Sequence, residues 1–412
     1  MPVVCLPATQ DDRKKATSVE LADIFYLYGE QYRQNHPLPS EYLNVMRHIE
    51  QCRTAALGGH KYQCRRCGYE HNAYNSCGDR HCPKCQSIAK ERWLNDRRAE
   101  LLPVSYYHVV FTIAHELNQL ILCNKSLMLD LLFEAVNHTL KVFAADPQWR
   151  VNGQLGFIAV LHTWSQILID HFHLHVLIPA GVIDSEGKFK AIREDFLFRN
   201  DSLAEFFKKR YLAKIRRAYP KNLIAFHGKT DQYRQPDQFN ALIELAASKK
   251  WNVFAKRPVA GPQQVLNYWG RYTHRVAISN NRIIANDNGQ ILFSYKNRKL
   301  QKTETMSLSA DEFIRRFLLH VLPDGFMKIR YFGFLSNKSK ADALKTIRNQ
   351  LDIDESILQL SESVQEIMLR LTGTDIFLCP KCKQAPLFKV ATLQPKLRNQ
   401  LKSPRLVKTH PP

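Results

Sequence analysis

His171-Phe172-His173-Leu174-His175-Val176 decides how the rest of the chain is read. Three imidazoles alternate with three apolar side chains, the period of a β-strand, whose successive side chains point to opposite faces. His171, His173 and His175 then share one face, while Phe172, Leu174 and Val176 fill the other. A His-hydrophobe-His pair on a strand brings two rings within reach of a single cation. A lone histidine there would be an ordinary solvated side chain, but three alternating with Phe, Leu and Val favour a ligand cluster.

Working outward, the apolar run from Gly156 to Val160 continues into Leu161-His162-Thr163-Trp164, and a short polar stretch separates it from the histidine row. A hairpin turning near Ile167 places His162 opposite His173 on the same face. His162 is therefore the third candidate ligand, with Asp170 and His171 as competitors. Tyr106 to Ile113 is rich in β-branched and aromatic residues and reads as a strand. Ser126 to Phe143 has helical spacing, and Gly156 to Val182 supplies two strands. Strand, helix, strand, strand predicts an α+β domain with helices over an antiparallel sheet. Residues 201–218 read as a further helix whose Lys208, Lys209, Arg210, Lys214, Arg216 and Arg217 form a solvated charged face.

The front of the chain has a different texture. Thr17 and Glu20 have capping-box spacing before an amphipathic run to about Gln34, and Pro39-Ser40-Glu41 opens a second helix to about Cys52. Six of the ten cysteines fall between Cys52 and Cys85. Cys64-Arg65-Arg66-Cys67 and Cys82-Pro83-Lys84-Cys85 are two Cys-x-x-Cys knuckles, and tetrahedral Zn²⁺ takes four such thiolates. Cys64, Cys67, Cys82 and Cys85 make the expected first site. Cys52, His60, Cys77 and His81 interleave with it as an expected second, cross-braced site. Arg53, Lys61, Arg65, Arg66, Arg80 and Lys84 stud this module, which suits a zinc-stabilised DNA-binding lobe; a purely structural clasp is the plainer alternative. Residues 86–101 follow as a basic helix. Near the other end, Cys379-Pro380-Lys381-Cys382 offers half a tetrahedral site, to be completed by ligands elsewhere or left as reduced thiols.

The 412 residues carry 59 Lys and Arg against 38 Asp and Glu, a net charge of +21 that points to a polyanion, most simply nucleic acid. No signal peptide opens the chain, and no apolar run reaches the roughly 18 residues that spanning a bilayer requires. A cytoplasmic protein is the expectation, and in a reducing compartment the cysteines read as metal ligands rather than disulfides.

A second motif is Asn267-Tyr268-Trp269-Gly270-Arg271-Tyr272-Thr273-His274-Arg275. On a helix, Tyr268 and Tyr272 are neighbours on one face, and Arg271 and Arg275 repeat the interval and could grip phosphates. Tyrosines so spaced are commonly core packing; beside a histidine row in a basic protein they suit covalent phosphoryl chemistry. Downstream, residues 282–306 alternate strand-like runs, Ser309 and Glu312 open a helix ending near Pro323, and 340–371 read as helical.

With these motifs in order, the chain resembles the two-tyrosine branch of the HUH endonucleases. His173-Leu174-His175 matches their His-hydrophobe-His signature, and Tyr268 and Tyr272 match the paired tyrosines. Leu161-His162-Thr163-Trp164, the Arg271 to Asn280 run and the cysteine-rich front end look like bacterial insertion-sequence transposases that move by rolling-circle, single-strand transfer. The resemblance covers about residues 20–340. It implies an HUH domain, an antiparallel sheet with flanking helices, behind a small cysteine-rich zinc-binding domain. It also implies nicking of single-stranded DNA at element ends through a 5′-phosphotyrosine, catalytic Mg²⁺ or Mn²⁺ beside structural Zn²⁺, and a nucleoid-associated enzyme whose partners are single-stranded transposon-end and target DNA, with room for self-association. The absence of a Gly-x-x-x-x-Gly-Lys loop agrees, since the phosphotyrosine conserves the energy of the broken bond. The expected division is a flexible N-terminus (1–17), a helical and zinc-binding DNA-recognition domain (18–101), the HUH domain (102–335), a helical region carrying Cys379 and Cys382 (336–382) and a basic tail (383–412) that reads as disordered from its seven Lys or Arg and no acid. A plasmid replication initiator or mobilisation relaxase, and a non-enzymatic zinc-containing DNA-binding regulator, are the alternatives.

Overall fold

The computed structural model describes residues 19–98, 100–149, 151–192, 197–259, 265, 270, 276–297, 299–353 and 362–396, with only the backbone of 256–259. Helices α1 (Leu21–Asn35) and α2 (Ser40–Gln51) open it. Glu20 caps α1 in a reciprocal pair with Asp23; Thr17, the cap expected from spacing, lies outside the described residues. Strands β1 (Gly59–Cys64) and β2 (Glu70–Tyr74) form an antiparallel hairpin, and α3 (Pro83–Arg98) follows.

The histidine-bearing domain begins with β3 (Tyr106–Thr112), α4 (Asn118–Cys123) and α5 (Lys125–Ala145). It continues through β4 (Gln154–Trp164), β5 (Asp170–Pro179), β6 (Gly181–Ile183) and β7 (Phe189–Ala191) to α6 (Asn200–Ala218), α7 (Pro236–Ser248) and β8 (Val253–Val259). Next come β9 (Ile283–Asp287), β10 (Gln290–Asn297), β11 (Lys302–Ser309) and α8 (Ala310–Leu318), capped by Ser309 as its spacing predicts. The chain then runs through β12 (Ile329–Gly333), α9 (Lys340–Gln350), α10 (Val364–Thr372) and β13 (Leu387–Leu393).

The main sheet runs β7-β6-β4-β5-β3-β8, with β12 also paired to β4, and every pairing is antiparallel. Strands β4 and β5 are therefore central. Their turn lies where the sequence put it, with Leu168 at φ 61°, and the register sets His162 opposite His173 and Val160 opposite His175. Gly333 lets β12 close on β4, because a Cβ there would stand 1.6 Å from the Leu155 carbonyl oxygen.

The two faces of this sheet have different fates. Phe172, Leu174 and Val176 face α5, α6 and α7 within the largest core, as the alternation demands. The histidine face is apolar at one end, where Tyr106, Ile158, Val160 and Leu177 pack with Leu344, Ile347 and Val265, and polar at the other. The basic residues of α6 behave as a charged surface: Lys214 meets Glu134, and Arg216 meets Glu244.

Two segments depart from expectation. Residues 387–393, assigned by composition to a disordered tail, form β13, which pairs with β1 and completes a sheet of order β13-β1-β2. Leu387-Phe388-Lys389-Val390-Ala391-Thr392-Leu393 is a strand-like run, and the β1 edge stabilises it by long-range pairing that composition cannot report. Residues 336–382 carry α9 and α10, and β13 beyond them returns the chain to the front lobe. Helices α1 and α2 likewise pack against β9, β10 and α8, sharing a core that includes Phe25, Met46, Phe293 and Phe313. No helix among the described residues is long and apolar enough to cross a membrane.

Candidate metal centres and catalytic site

His162, His173 and His175 present ligand nitrogens that all lie within 4.8 Å of one another. His162 and His173 are buried and His175 half-buried. The Nε2 atoms of His173 and His175 are 3.1 Å apart, a separation that suits two lone pairs on one cation and equally an N–H···N hydrogen bond. His173 Nδ1 lies 2.8 Å from the His171 carbonyl oxygen; a carbonyl can only accept, so Nδ1 carries the proton and the Nε2 lone pair is free for a ligand bond. Trp164 stacks on His162 with ring centroids 5.0 Å apart and planes at 16°, fixing that ring from the side away from the cluster.

The competitors for the third position stand elsewhere. His171 stacks on His115 at 5.5 Å and contributes its carbonyl rather than its ring. Asp170 pairs in register with Trp164 at the hairpin end. A residue the motif did not reveal is His108 on β3, buried, with Nε2 2.8 Å from His175 Nδ1. A metal on His175 Nε2 requires the proton on Nδ1, which then donates to His108. The only sequence signal for His108 was its place in a strand-forming run two registers from the end of β3.

Tyr268, Tyr272, Arg271 and Arg275 lie outside the described residues. Their flanks are described. Val265 is fully buried in the apolar cluster that also holds Val160, Leu177 and Ile158 of the histidine face. On the other side, Val276 and Ala277 line a cleft together with Thr163 and Trp164, the residues that follow His162.

The thiols gather into two tetrads, and not the two that spacing suggested. Cys52, Cys77, Cys82 and Cys85 form one; Cys64, Cys67, Cys379 and Cys382 form the other. The expected Cys64, Cys67, Cys82, Cys85 set is thus divided between them. Sulfur separations are 3.5 Å for Cys52–Cys85, 3.6 Å for Cys77–Cys85, 3.7 Å for Cys64–Cys382 and 3.6 Å for Cys67–Cys379. Zn–S bonds of about 2.3 Å in a tetrahedron place sulfurs about 3.8 Å apart, so both tetrads fit Zn²⁺. In the first tetrad, hydrogen bonds from Cys52, Cys77 and Cys82 hold the Cys85 thiol far below its usual range, and the same crowding pushes Cys82 up. Four thiols this close cannot all ionise without a cation among them. In the second, the backbone N–H of Gln384, joined by that of Ala385, holds the Cys382 thiol down at about 6.

Neither expected histidine ligand joins a tetrad. His81 is committed at both nitrogens: Nδ1 is 3.0 Å from Asp79 Oδ1, and Nε2 accepts from the Leu322 backbone N–H at 3.3 Å. Burial lowers its pKa below the ordinary histidine value. His60 lies on β1 between β2 and β13, with its Nδ1 buried and unbonded to protein. Spacing misassigned the ligands because the second tetrad is closed across more than 300 residues, and local spacing cannot report such a contact. Most of the module's basic side chains are also engaged within the protein: Lys61 pairs with Glu70, Lys84 with Glu20, and Arg65 stacks on Phe388 at 4.3 Å.

Fold and sites together define a class: an α+β protein with a three-imidazole cluster on the central strands of an antiparallel sheet, joined to a cysteine-rich lobe suited to structural zinc. The family model described as "Putative transposase" matches residues 156–342, and the IS91-type model described as "Transposase zinc-binding domain" matches residues 24–113. The "Putative transposase y4qJ" of Sinorhizobium fredii (strain NBRC 101917 / NGR234) is 42% identical over 377 residues, covering 90% of this chain and 94% of that protein. The "Transposase for insertion sequence element IS801" of Pseudomonas savastanoi pv. phaseolicola is 28% identical over 293 residues, 70% of this chain and 68% of that protein. No solved structure matches significantly. The chain belongs to the IS91-type insertion-sequence transposases, and its partner is DNA.

Proposed function

We propose that this transposase nicks single-stranded DNA at the ends of an insertion sequence and transfers the strand by rolling-circle transposition, with Tyr268 and Tyr272 as nucleophiles. Support comes chiefly from the histidine cluster, whose three nitrogens converge within 4.8 Å and in which the His171 carbonyl oxygen fixes the His173 tautomer with its Nε2 lone pair free. Further support comes from the flanks of the tyrosine segment, since Val265 packs on the histidine face and Ala277 beside Trp164.

His162, His173 and His175 would hold a divalent ion, Mg²⁺ or Mn²⁺, whose charge polarises the scissile phosphate. An all-imidazole donor set tilts the choice toward Mn²⁺, since Mg²⁺ prefers oxygen ligands. A phenol oxygen of Tyr268 or Tyr272 attacks phosphorus, the P–O3′ bond breaks, and the 3′ oxygen leaves as a hydroxyl after taking up a proton. The 5′ end stays on the enzyme as a phosphotyrosine. The second phenol is then available for a second cleavage while the first end is held. Arg271 and Arg275 grip phosphates of the strand. Both thiol tetrads hold Zn²⁺ as structural ions, Cys52, Cys77, Cys82 and Cys85 in one and Cys64, Cys67, Cys379 and Cys382 in the other, and the lobe they stabilise contributes to DNA recognition.

The test is nicking of labelled single-stranded DNA carrying the element's own ends, with added Mn²⁺. Wild-type protein is expected to cut and His173→Ala to lose cutting while keeping its fold and DNA binding. Equal cutting by both would end the assignment of the histidine cluster.

A further inference from the structure

Where β4 leaves the sheet, beyond the histidine cluster, a narrow cleft is lined by Arg80, His81, Thr163, Trp164, His320 and Lys328, together with Val276 and Ala277. It joins the thiol lobe to the histidine-bearing domain. Arg80 stands in the loop between Cys77 and Cys82, two thiols of one tetrad, so the fold of that tetrad positions it. Its guanidinium donates to the backbone carbonyls of Phe326 and Pro323.

The polar inventory of the cleft is unbalanced. His320 is satisfied, with Nδ1 3.3 Å from Thr163 Oγ1 and Nε2 3.1 Å from the Leu168 carbonyl oxygen. His81 is satisfied by Asp79 and Leu322, and the Asp79 carboxylate is itself divided between His48, His81 and the His81 backbone N–H. Arg80 and Lys328 have no carboxylate partner among the described residues. Lys328 is desolvated, which together with repulsion from Arg80 lowers its ammonium to about 8. Both side chains are half-buried and line the same cleft, and two cations on one cleft wall with no carboxylate beside them favour an anion between them. Such a perturbed group in a cleft marks a functional position.

We propose that this cleft seats a phosphate group of the DNA strand, gripped by Arg80 from the thiol lobe and Lys328 from the histidine-bearing domain. Trp164 lines the cleft and stacks on His162, so the seated phosphate neighbours the one delivered to the histidine cluster. The proposal rests on the nicking function proposed above, for the strand must run past that cluster. It gives the thiol lobe a direct part in holding the strand, through a side chain placed by a metal-binding loop.

The test uses full-length, zinc-loaded protein and a fluorescein-labelled dT30 oligonucleotide, with binding followed by anisotropy across a series of KCl concentrations and no added Mg²⁺ or Mn²⁺. Lys328→Met is expected to weaken binding about tenfold at low salt. It should also make the slope of log affinity against log salt shallower by about 0.7, the contribution of one single-strand phosphate contact. Lys328→Arg should restore both, and Lys188→Met, an exposed lysine paired with Glu186 on the far edge, should change neither. Thermal stability of Lys328→Met should equal or exceed that of wild type, because an unpaired cation has been removed. An unchanged affinity and slope in a protein that still nicks DNA would overturn this site alone. A fall in stability that Lys328→Arg does not repair would assign the lysine a structural role and equally overturn it. Failure of wild type to bind dT30 would remove the proposed function as well.

Discussion

His108→Phe keeps the volume and burial of an aromatic ring on β3 but deletes the nitrogen 2.8 Å from His175 Nδ1. Without that acceptor, nothing on β3 favours the His175 tautomer whose Nε2 lone pair faces His162 and His173. Outer-sphere partners of metal-binding histidines are worth about 10- to 100-fold in metal affinity or activity, which is about 1.4–2.7 kcal/mol. The Phe ring cannot accept from the Nδ1–H of His175, so a loss within that range is expected. The assay is calorimetric titration of Mn²⁺ into zinc-loaded protein, alongside nicking at a series of Mn²⁺ concentrations. Nicking should recover at high Mn²⁺, because the defect is in metal affinity, and His108→Gln, which keeps an acceptor, should lie between. Wild-type Mn²⁺ affinity in His108→Phe would refute the positioning of His175 by His108.

Three other outcomes are expected. Wild-type protein should carry two zinc ions per chain, and Cys379→Ser should lower this to one while exposing β1 amides to hydrogen exchange, since β13 is held to the lobe by that tetrad; two retained zincs would contradict the long-range closure. Burial pushes the His320 imidazole down to about 3, so the folded state resists a proton that the unfolded state takes up below its ordinary value. Stability is therefore lost as pH falls through 6.5, by about 1 kcal/mol between pH 6.5 and 5.5; urea unfolding at these two pH values should show a loss about 1 kcal/mol smaller in His320→Gln than in wild type. Tyr268→Phe and Tyr272→Phe should each keep at most partial nicking and neither should support transposition in cells, and undiminished transposition by either would leave a one-tyrosine enzyme.

How much the sequence disclosed depended on the distance over which each feature is built. The histidine row, the Ile167 turn and the pairing of His162 with His173 rest on a two-residue period and a short hairpin, so they could be read directly. The cap at Ser309 and the helices over the sheet are equally local, whereas at α1 the spacing pointed to Thr17 and the cap is Glu20, paired with Asp23. The zinc ligands were legible as a composition and not as a partition. Nothing in the interval from Cys67 to Cys82 tells a knuckle which partner to choose, and the Cys64–Cys67 knuckle pairs with thiols at the other end of the chain. The same long-range closure turned Leu387–Leu393 from an expected tail into a strand. His108 was hidden because its role depends on the neighbouring strand, and Lys328 because a lone lysine between Met327 and Ile329 is unremarkable until burial leaves it without an acid.

The most direct measurement is of the bond the enzyme makes. Single-stranded DNA bearing the element's ends is incubated with wild-type protein and Mn²⁺, denatured, digested with trypsin and read by tandem mass spectrometry. A nucleotide 5′-phosphate esterified to Tyr268 or Tyr272, lost in His175→Ala and in the double Tyr→Phe variant, is the expected result. Cleaved DNA with no covalent adduct, or an adduct on any other residue, would contradict the account.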